Sequence, residues 1–406
     1  MVAPLILPKL TLLILVFCIL ISFDQHKHNT NNNNNNKTFN FINTIPFPIH
    51  SFSGGPVSLS VTTNKNHYSD SSSDSNSQSL LEYDFYRNSC PNAERIVRST
   101  LHRVYKTNHT LIPALIRLAF HDCFIQGCDA SILLEDDDYI DSEKDSPPNG
   151  SLKGFEVIET IKSKLEVACP GVVSCADILV LAARDSVALV TFIFFPAGGP
   201  FYPLYTGRRD GSNSFADIAT DELPSPYADL SQIISSFKLR GFDEREMVTL
   251  LGAHNIGVIH CKFFENRLYN LSGTNKPDPS MNTEFLNVLR SRCNETDALS
   301  ISASGYTSHA SSSSLAEEQQ KITMDSRKSL SGFGMLYYRS LLQGKGILYA
   351  DQQLMEGEKT KYWVQEYASN PTLFRQDFAL AMMKLSDLRV LTMPMGQIRR
   401  TCSKVA

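Results

Sequence analysis

Apolar residues recur along most of the chain at the spacing of about 3.6 residues that is typical of amphipathic α-helices. No set of alternating segments would build a sheet core, so the pattern predicts a mainly α fold. Two of the predicted helices begin at capping signals, Asp243 followed by Glu246 and Ser174 followed by Asp177. The predicted helices span residues 91–106, 111–124, 155–168, 174–189, 230–240, 243–251, 282–293, 334–342, 359–368 and 371–386.

The chain before residue 81 does not follow this pattern. Lys9 precedes an apolar run over residues 10–23, so we interpret residues 1–23 as a secretory signal peptide. The alternatives are an uncleaved signal anchor, for which the run is short, and a buried N-terminal helix. Residues 24–80 are rich in Asn and Ser and predict a disordered spacer. Residues 81–406 are long enough for one large or two closely joined helical lobes with a cofactor between them.

Acid–base chemistry is indicated by Arg117 and His121, which are four residues apart and therefore share one face of a predicted helix. Such a pair can take a proton from one peroxide oxygen and stabilise the charge that develops as the O–O bond breaks. An isolated pair of this kind is more often a packed histidine beside a surface arginine. His254, at the end of another apolar segment, could ligate a metal from the opposite side.

The segment just after His121 carries several oxygen ligands. Asp122, Asp129 and Ser131 supply side-chain oxygens, and Ile125 and Gly127 can offer backbone carbonyls. This set suits calcium better than zinc. A solvated acidic turn is the alternative.

Several motifs together resemble the secreted plant haem peroxidases (class III), from about Leu81 to Cys402. The resemblance implies a mainly α haem-peroxidase fold, with two helical lobes and haem b between them. Residues 81–406 would form this domain. The motifs that carry it are residues 85–94 (FYRNSCPNAE), 117–131 (RLAFHDCFIQGCDAS), 171–178 (GVVSCADI), 207–211 (GRRDG), 251–254 (LGAH), 267–270 (RLYN) and 350–354 (ADQQL).

On the distal side of the haem, the resemblance gives each residue a role. His121 matches the acid–base residue, Arg117 the assisting cation and Phe120 the ring that shapes the peroxide pocket. Asn149 matches the residue that accepts from the distal histidine. Glu143 matches the residue that joins this region to the calcium loop through water.

On the proximal side, His254 matches the axial iron ligand and Asp351 the carboxylate that accepts from its ring N–H. That bond makes the imidazole a stronger donor to iron. An arbitrary Asp-Gln pair would more often cap a turn. Pro226 matches a residue at the entrance for aromatic substrates.

Eight cysteines follow Cys18 of the leader, and eight cysteines allow about 105 pairings. Thiolate ligation of a metal is the competing interpretation, although no Cys-x-x-Cys occurs. The resemblance implies the pairs Cys90–Cys169, Cys123–Cys128, Cys175–Cys402 and Cys261–Cys293. Once secretion is accepted, Asn36, Asn108, Asn270 and Asn294 become candidates for glycosylation. Asn149 also heads a sequon, but we do not expect a glycan there because the resemblance implies a place beside the haem.

At two places the sequence departs from the pattern of the plant haem peroxidases in a way that changes what we expect of this protein. Residues 191–197 look like an apolar insertion of unassigned role. A second calcium site is expected to be weak or absent, because Asn255 stands where the family usually has Thr and Gly334 lies where an Asp usually precedes the paired tyrosines. Asp325 and Ser329 are the remaining candidate ligands.

These features predict a secreted, monomeric peroxidase of the cell wall or apoplast that reduces hydrogen peroxide and oxidises small phenolic donors by one-electron steps. The alternative is a peroxidase-like extracellular or membrane-anchored protein with a structural or binding role and reduced catalysis. The formal net charge of −4 gives no reason to expect a nucleic acid or an anionic membrane as partner. We expect membrane attachment only if the N-terminal segment stays uncleaved.

Overall fold

The computed structural model describes residues 81–194, 201–293, 321–324 and 333–406, with the backbone alone for 191–194. All of these residues fall within one compact unit, Ser75–Ala406. The predicted signal peptide and spacer, and the candidate ligands Asp325 and Ser329, lie outside the described residues. In the ranges given above, no helix is both long enough and apolar enough to cross a membrane.

The described part of the chain is mainly helical. Short 3₁₀ turns at Ser131–Leu133, Glu143–Asp145 and Gly252–Asn255 carry several of the predicted site residues. The α-helices are α1 (Ala93–Thr107), α2 (Leu111–Phe124), α3 (Phe155–Ala168), α4 (Cys175–Phe194), α5 (Ala216–Glu222), α6 (Leu230–Lys238), α7 (Glu244–Leu251), α8 (Glu265–Tyr269), α9 (Thr283–Arg292), α10 (Met335–Leu342), α11 (Tyr349–Gln353), α12 (Glu358–Ser369) and α13 (Pro371–Ser386).

Strands make only a minor contribution to the described residues. β1 (Glu82–Tyr83) pairs antiparallel with β2 (Tyr205–Thr206), and β3 (Val258–His260) pairs antiparallel with β4 (Lys321–Thr323). In the second pair, Ile259 lies opposite Ile322. Neither pair forms a sheet core, as the sequence pattern predicts.

One predicted helix boundary differs from the structure by more than two residues. Helix α4 was predicted to end at Leu189 but continues to Phe194, so the first four residues of the apparent insertion extend the helix by about one turn. No glycine or proline interrupts this stretch before Pro196, and proline disfavours the α conformation in the residue before it. The rest of the insertion lies outside the described residues.

A continuous apolar core joins two groups of helices. Helices α2 and α1 pack against α4 in the first group, while α13 and α12 pack against α7 in the second. Contacts between α13 and α2 connect the groups, and one buried cluster runs through both. A smaller cluster surrounds Cys261, Phe264 and Leu268. This arrangement agrees with two helical lobes that share a core.

The described part of the chain contains four disulfides, which are the four pairs that the resemblance implies: Cys90–Cys169, Cys123–Cys128, Cys175–Cys402 and Cys261–Cys293. The bond from Cys123, in the last turn of α2, to Cys128 returns the following loop onto the helix. Gly127 in this loop has a φ of +120°, and a Cβ there would lie 2.6 Å from the carbonyl oxygen of Arg389. The loop therefore requires glycine at this position.

Candidate active site

Helix α2 carries the predicted acid–base pair. Its apolar residues Leu115, Leu118 and Ala119 are buried in the core, which fixes the rotation of the helix. His121 is only 8% exposed, whereas the side chain of Arg117 is accessible to solvent. The helix thus holds both groups on one face at the edge of the core.

Asn149 determines which nitrogen of His121 carries a proton. The Asn149 Nδ2 donates to the backbone oxygen of Glu143 at 2.8 Å, so its Oδ1 faces the imidazole. The His121 Nδ1 lies 2.6 Å from this Oδ1. Because an amide oxygen can only accept, Nδ1 is the protonated nitrogen and Nε2 keeps its lone pair. His121 is therefore arranged as a base at Nε2.

The surroundings of His121 favour its neutral form. Burial lowers the pKa of His121 well below 6.5, and the charges of Arg117 and His254 lower it further. The hydrogen bond to Asn149 acts in the opposite direction but does not outweigh them.

Arg117 is positioned by the segment that follows Asn149. Its Nη1 donates to the hydroxyl of Ser151 at 3.0 Å, and its Nη2 donates to the backbone oxygen of Pro148 at 2.9 Å. Part of the Arg117 side chain reaches solvent, but the protein atoms packed around it partly desolvate the guanidinium and lower its pKa to about 10, so the group remains charged at neutral pH. Sequence reasoning did not identify Pro148 and Ser151 as the partners that hold this cation.

Phe120 belongs to a cluster of aromatic rings beside the distal pair. Its ring stacks on Phe124 with centroids 4.7 Å apart, and it lies 6.0 Å from the His121 ring. Phe237 of α6 lies against both phenylalanines, with centroids 6.1 Å from Phe120 and 5.1 Å from Phe124. The cluster fixes the orientation of Phe120 next to His121.

The predicted proximal pair is brought together from two distant segments. His254 lies in the 3₁₀ turn after α7, and Asp351 lies in the short helix α11. The His254 Nδ1 donates to the Asp351 Oδ1 at 2.8 Å, which leaves Nε2 available as a ligand. Asp351 is 1% exposed and the His254 side chain is 36% exposed. A buried carboxylate thus orients an accessible imidazole.

Tyr337 of α10 also contacts this pair, and sequence reasoning missed its role. Its hydroxyl donates to the same Asp351 Oδ1 at 2.8 Å, and its ring lies edge-on to His254 with centroids 6.3 Å apart. Burial, and secondly the charge of Asp351, raise the pKa of Tyr337 well above its ordinary value. Tyr337 is therefore a neutral hydrogen-bond donor. The paired tyrosines were noticed in the sequence only as a landmark.

Pro226, the predicted substrate-entrance residue, lies next to the proximal side. Its backbone oxygen accepts from the backbone N–H of Ala350 at 3.1 Å, and Ala350 directly precedes Asp351. The pyrrolidine is half-buried, and the neighbouring Tyr227 is 45% exposed. The structure therefore connects this surface segment to helix α11.

Buried oxygens converge in the loop after α2. The Oδ1 of Asp122, the Oγ of Ser131 and the Oε2 of Glu143 are buried without a hydrogen-bond partner in the described part of the chain. Asp129 bends back, and its Oδ1 accepts from the Ser131 N–H at 3.0 Å. The Gly127 carbonyl accepts from the Asp129 N–H at 3.0 Å. Orphaned oxygens of this kind are costly unless a cation occupies the space between them.

The electrostatics of this loop also favour a cation. Burial is the main cause that raises the pKa of Asp122 well above its ordinary value, and the charges of Asp129 and Glu143 add to it. Burial likewise raises the pKa of Glu143 to about 7. Arg399, far along the chain, donates to the backbone oxygen of Ala130 at 2.9 Å and was not expected from the sequence. One arginine does not balance three buried carboxyl groups.

The donor set of the loop suits calcium rather than a transition metal. The described residues contain no group of three or more His, Cys, Asp or Glu side chains arranged to hold a metal ion. A cation in the loop would therefore need hydroxyl and carbonyl oxygens as well as carboxylates, as calcium does. Asp122, Asp129 and Ser131, with the carbonyls of Ile125 and Gly127, provide that mixture.

The second calcium site lacks side-chain ligands in the described residues. Asn255 is 6% exposed, and its Oδ1 accepts from the Tyr337 N–H at 3.1 Å, so this oxygen is already engaged. A Cβ at Gly334 would overlap the ring of Phe374, so no carboxylate fits there. The other two candidates, Asp325 and Ser329, lie outside the residues that the structure describes.

Comparison with known proteins gives a consistent result. A sequence model of the peroxidase family matches residues 97–370 of this chain. The chain is 49% identical over 342 residues to "Putative Peroxidase 48" of Arabidopsis thaliana, covering 80% of this chain and 83% of that protein. It is 37% identical to Peroxidase 1 of the same plant, covering 80% and 92%. It is 39% identical to Peroxidase 10, covering 80% and 86%.

Proposed function

Because the chain belongs to the class III plant peroxidase family, we propose that it reduces hydrogen peroxide with a haem b that His254 would hold and with His121 as the acid–base residue, and that it oxidises small phenolic donors. The observation that carries this proposal is the arrangement of His121, which is buried, neutral and protonated at Nδ1 by its bond to Asn149. That arrangement leaves a base at Nε2.

On the distal side, the residues move one proton between the two oxygens of peroxide. His121 Nε2 takes a proton from one peroxide oxygen and later gives it to the other, which leaves as water. Arg117, held by Ser151 and Pro148, stabilises the negative charge that develops on the leaving oxygen. Phe120 limits the space beside His121.

On the proximal side, Nε2 of His254 would hold the haem iron, while Asp351 keeps the imidazole oriented through Nδ1. When bound, haem would supply the redox chemistry: it would give two electrons to peroxide and would recover them one at a time from two donor molecules. The segment of Pro226 contributes to the surface that donors would approach.

The alternative of a structural or binding protein receives no support from the relatives described above, which are all named as peroxidases. A direct test is peroxide-dependent oxidation of a simple phenol by the purified haem-loaded protein. We expect multiple turnovers that depend on both substrates. Binding of a phenol without its oxidation would favour the alternative.

The pH dependence of the peroxide reaction follows from the state of His121. Because its pKa lies well below 6.5, we expect the second-order rate constant to stay level as the pH is lowered from neutral through 6.5. Removal of the neighbouring charge in Arg117→Leu should raise this pKa and move the acid limb of the profile to higher pH. Stopped-flow measurements at constant ionic strength test this. A parent profile with its midpoint at or above 6.5 would refute the assignment.

We further propose one firmly bound calcium, held by Asp122, Asp129 and Ser131 with carbonyls of the loop and with Glu143 acting through water. The second site should be empty or easily stripped. Metal analysis after mild chelation should therefore give one equivalent in the parent and none in Asp122→Asn. The exposed Asp138 of the same segment provides the control, since Asp138→Asn should keep the ion. Two equivalents that survive chelation would contradict this proposal.

Secretion to the cell wall or apoplast, as a monomer, is also part of the proposal. Exposed asparagines at two sequons, Asn108 and Asn270, are available for glycans. Asn149 is 3% exposed and its Nδ2 is engaged with Glu143, so this sequon should stay unmodified. Mass spectrometry of the protein secreted by a plant host checks these assignments.

A further inference from the structure

Tyr337 closes a ring of hydrogen bonds around the proximal histidine. Its backbone N–H donates to Oδ1 of Asn255 at 3.1 Å, and its hydroxyl donates to Oδ1 of Asp351 at 2.8 Å. The same Asp351 oxygen accepts from Nδ1 of His254 at 2.8 Å. Because Asn255 follows His254 directly in the chain, a peptide bond completes the ring.

The ring is shielded from water everywhere except at His254. Tyr337 is 7% exposed, Asn255 6% and Asp351 1%. Hydrogen bonds to an ionised group are strong, and a low local dielectric strengthens them further. A change in the hydrogen bond of one member of the ring should therefore alter the strength of the other hydrogen bonds.

Two donors compete for one carboxylate oxygen. Each hydrogen bond to Oδ1 of Asp351 withdraws electron density from it, so donation by Tyr337 weakens the pull of this oxygen on the His254 N–H. The strength of that pull determines how strongly the imidazole donates to a bound iron. We propose that Tyr337 is a positioning residue that holds Asp351 against His254 and limits its pull on the imidazole proton, and thereby raises the reduction potential of the haem iron. This inference rests on the proposed function.

Asn255 gives the ring an anchor that does not need a cation. The turn that carries His254 and the helix that carries Tyr337 are joined directly by the bond from Tyr337 N–H to Asn255. The position of Tyr337 is therefore determined by the chain itself.

The test replaces each of two adjacent tyrosines by phenylalanine. Tyr337→Phe removes only the hydroxyl and keeps the backbone bond to Asn255. Tyr338→Phe is the matched control, because Tyr338 is 0% exposed and its hydroxyl donates to the backbone oxygen of Val248 at 2.9 Å, away from Asp351. The readouts are the ferric/ferrous potential of the haem-loaded protein and the iron–histidine stretching frequency in resonance Raman spectra.

We expect Tyr337→Phe to shift the potential to a more negative value and to raise the stretching frequency, with Tyr338→Phe at the parent values. A merely structural role would shift neither quantity in this direction. Values equal to the parent, a shift to a more positive potential, or an equal shift in Tyr338→Phe would overturn the inference.

A second variant keeps the test informative if Tyr337→Phe does not retain haem. Site-specific 3-fluorotyrosine at position 337 preserves the shape and makes the hydroxyl a stronger donor, so the potential should become more positive. No shift would overturn the inference. If the parent protein takes up no haem, the proposed function and this inference are both overturned. If the parent binds haem but its reduction potential does not change when Tyr337 is replaced, only this inference is overturned.

Discussion

His121→Ala should slow the reaction of the haem-loaded protein with hydrogen peroxide by about 10²- to 10⁴-fold, the range expected for loss of a general acid–base residue. The His121 side chain both removes the proton from one peroxide oxygen and delivers it to the leaving oxygen, so the variant loses both proton transfers. Haem should remain bound, because His254 and Asp351 are untouched. The rate constant is measured by stopped-flow absorbance of the haem band, with hydrogen peroxide in excess over the protein so that the reaction is pseudo-first-order.

The control for this variant is His102→Ala, which removes an exposed imidazole from α1. We expect His102→Ala to react with hydrogen peroxide at the same rate as the parent protein. If His121→Ala retains haem and reacts within a few-fold of the parent, His121 is not the acid–base residue. The bond from Asn149 to its Nδ1 would then serve only the packing of the loop.

Asp351→Asn should produce the second large effect, a more positive ferric/ferrous potential and peroxide cleavage slowed by about 10- to 100-fold. An amide oxygen accepts from the His254 N–H more weakly than a carboxylate does, so the imidazole becomes a poorer donor to iron. Haem binding should persist. The sign is opposite to that expected for Tyr337→Phe, since one change weakens the acceptor and the other removes a competing donor.

Asp377→Asn is a suitable control for the potential. Asp377 also accepts from a tyrosine hydroxyl, that of Tyr367 at 2.6 Å, and pairs with Arg245, but it has no hydrogen bond to His254 among those described. Spectroelectrochemistry on both variants separates a local effect from a general loss of stability. A potential for Asp351→Asn equal to that of the parent would leave turn capping as the role of this residue.

The long helices could be predicted from the sequence because their apolar faces persist over several turns. The predicted bounds of α2, α3 and α13 coincide with those in the structure. The capping box at Asp243 and Glu246 is present, and the Ser174 hydroxyl accepts from the Asp177 N–H at 3.1 Å. Helices α5, α8 and α11 were missed, since five to seven residues are too few to show a period.

Contacts between residues far apart in the chain could be predicted only where the resemblance to the peroxidase family implied them. Spacing alone could not choose among about 105 cysteine pairings, nor join His254 to Asp351 across 97 residues. The structure brings each of these pairs together. Tyr337 and Arg399 were missed for the same physical reason. Their importance arises from which atoms they reach in three dimensions, and no local pattern in the sequence records that.

The most direct test of the central claim is an absorption titration of the purified haem-loaded protein. The account predicts a haem band characteristic of a histidine-ligated ferric iron, a complete spectral change on addition of one equivalent of hydrogen peroxide, and return of the original spectrum after two equivalents of a one-electron phenolic donor. A protein that binds no haem, or one whose haem spectrum is unaffected by peroxide, would contradict it.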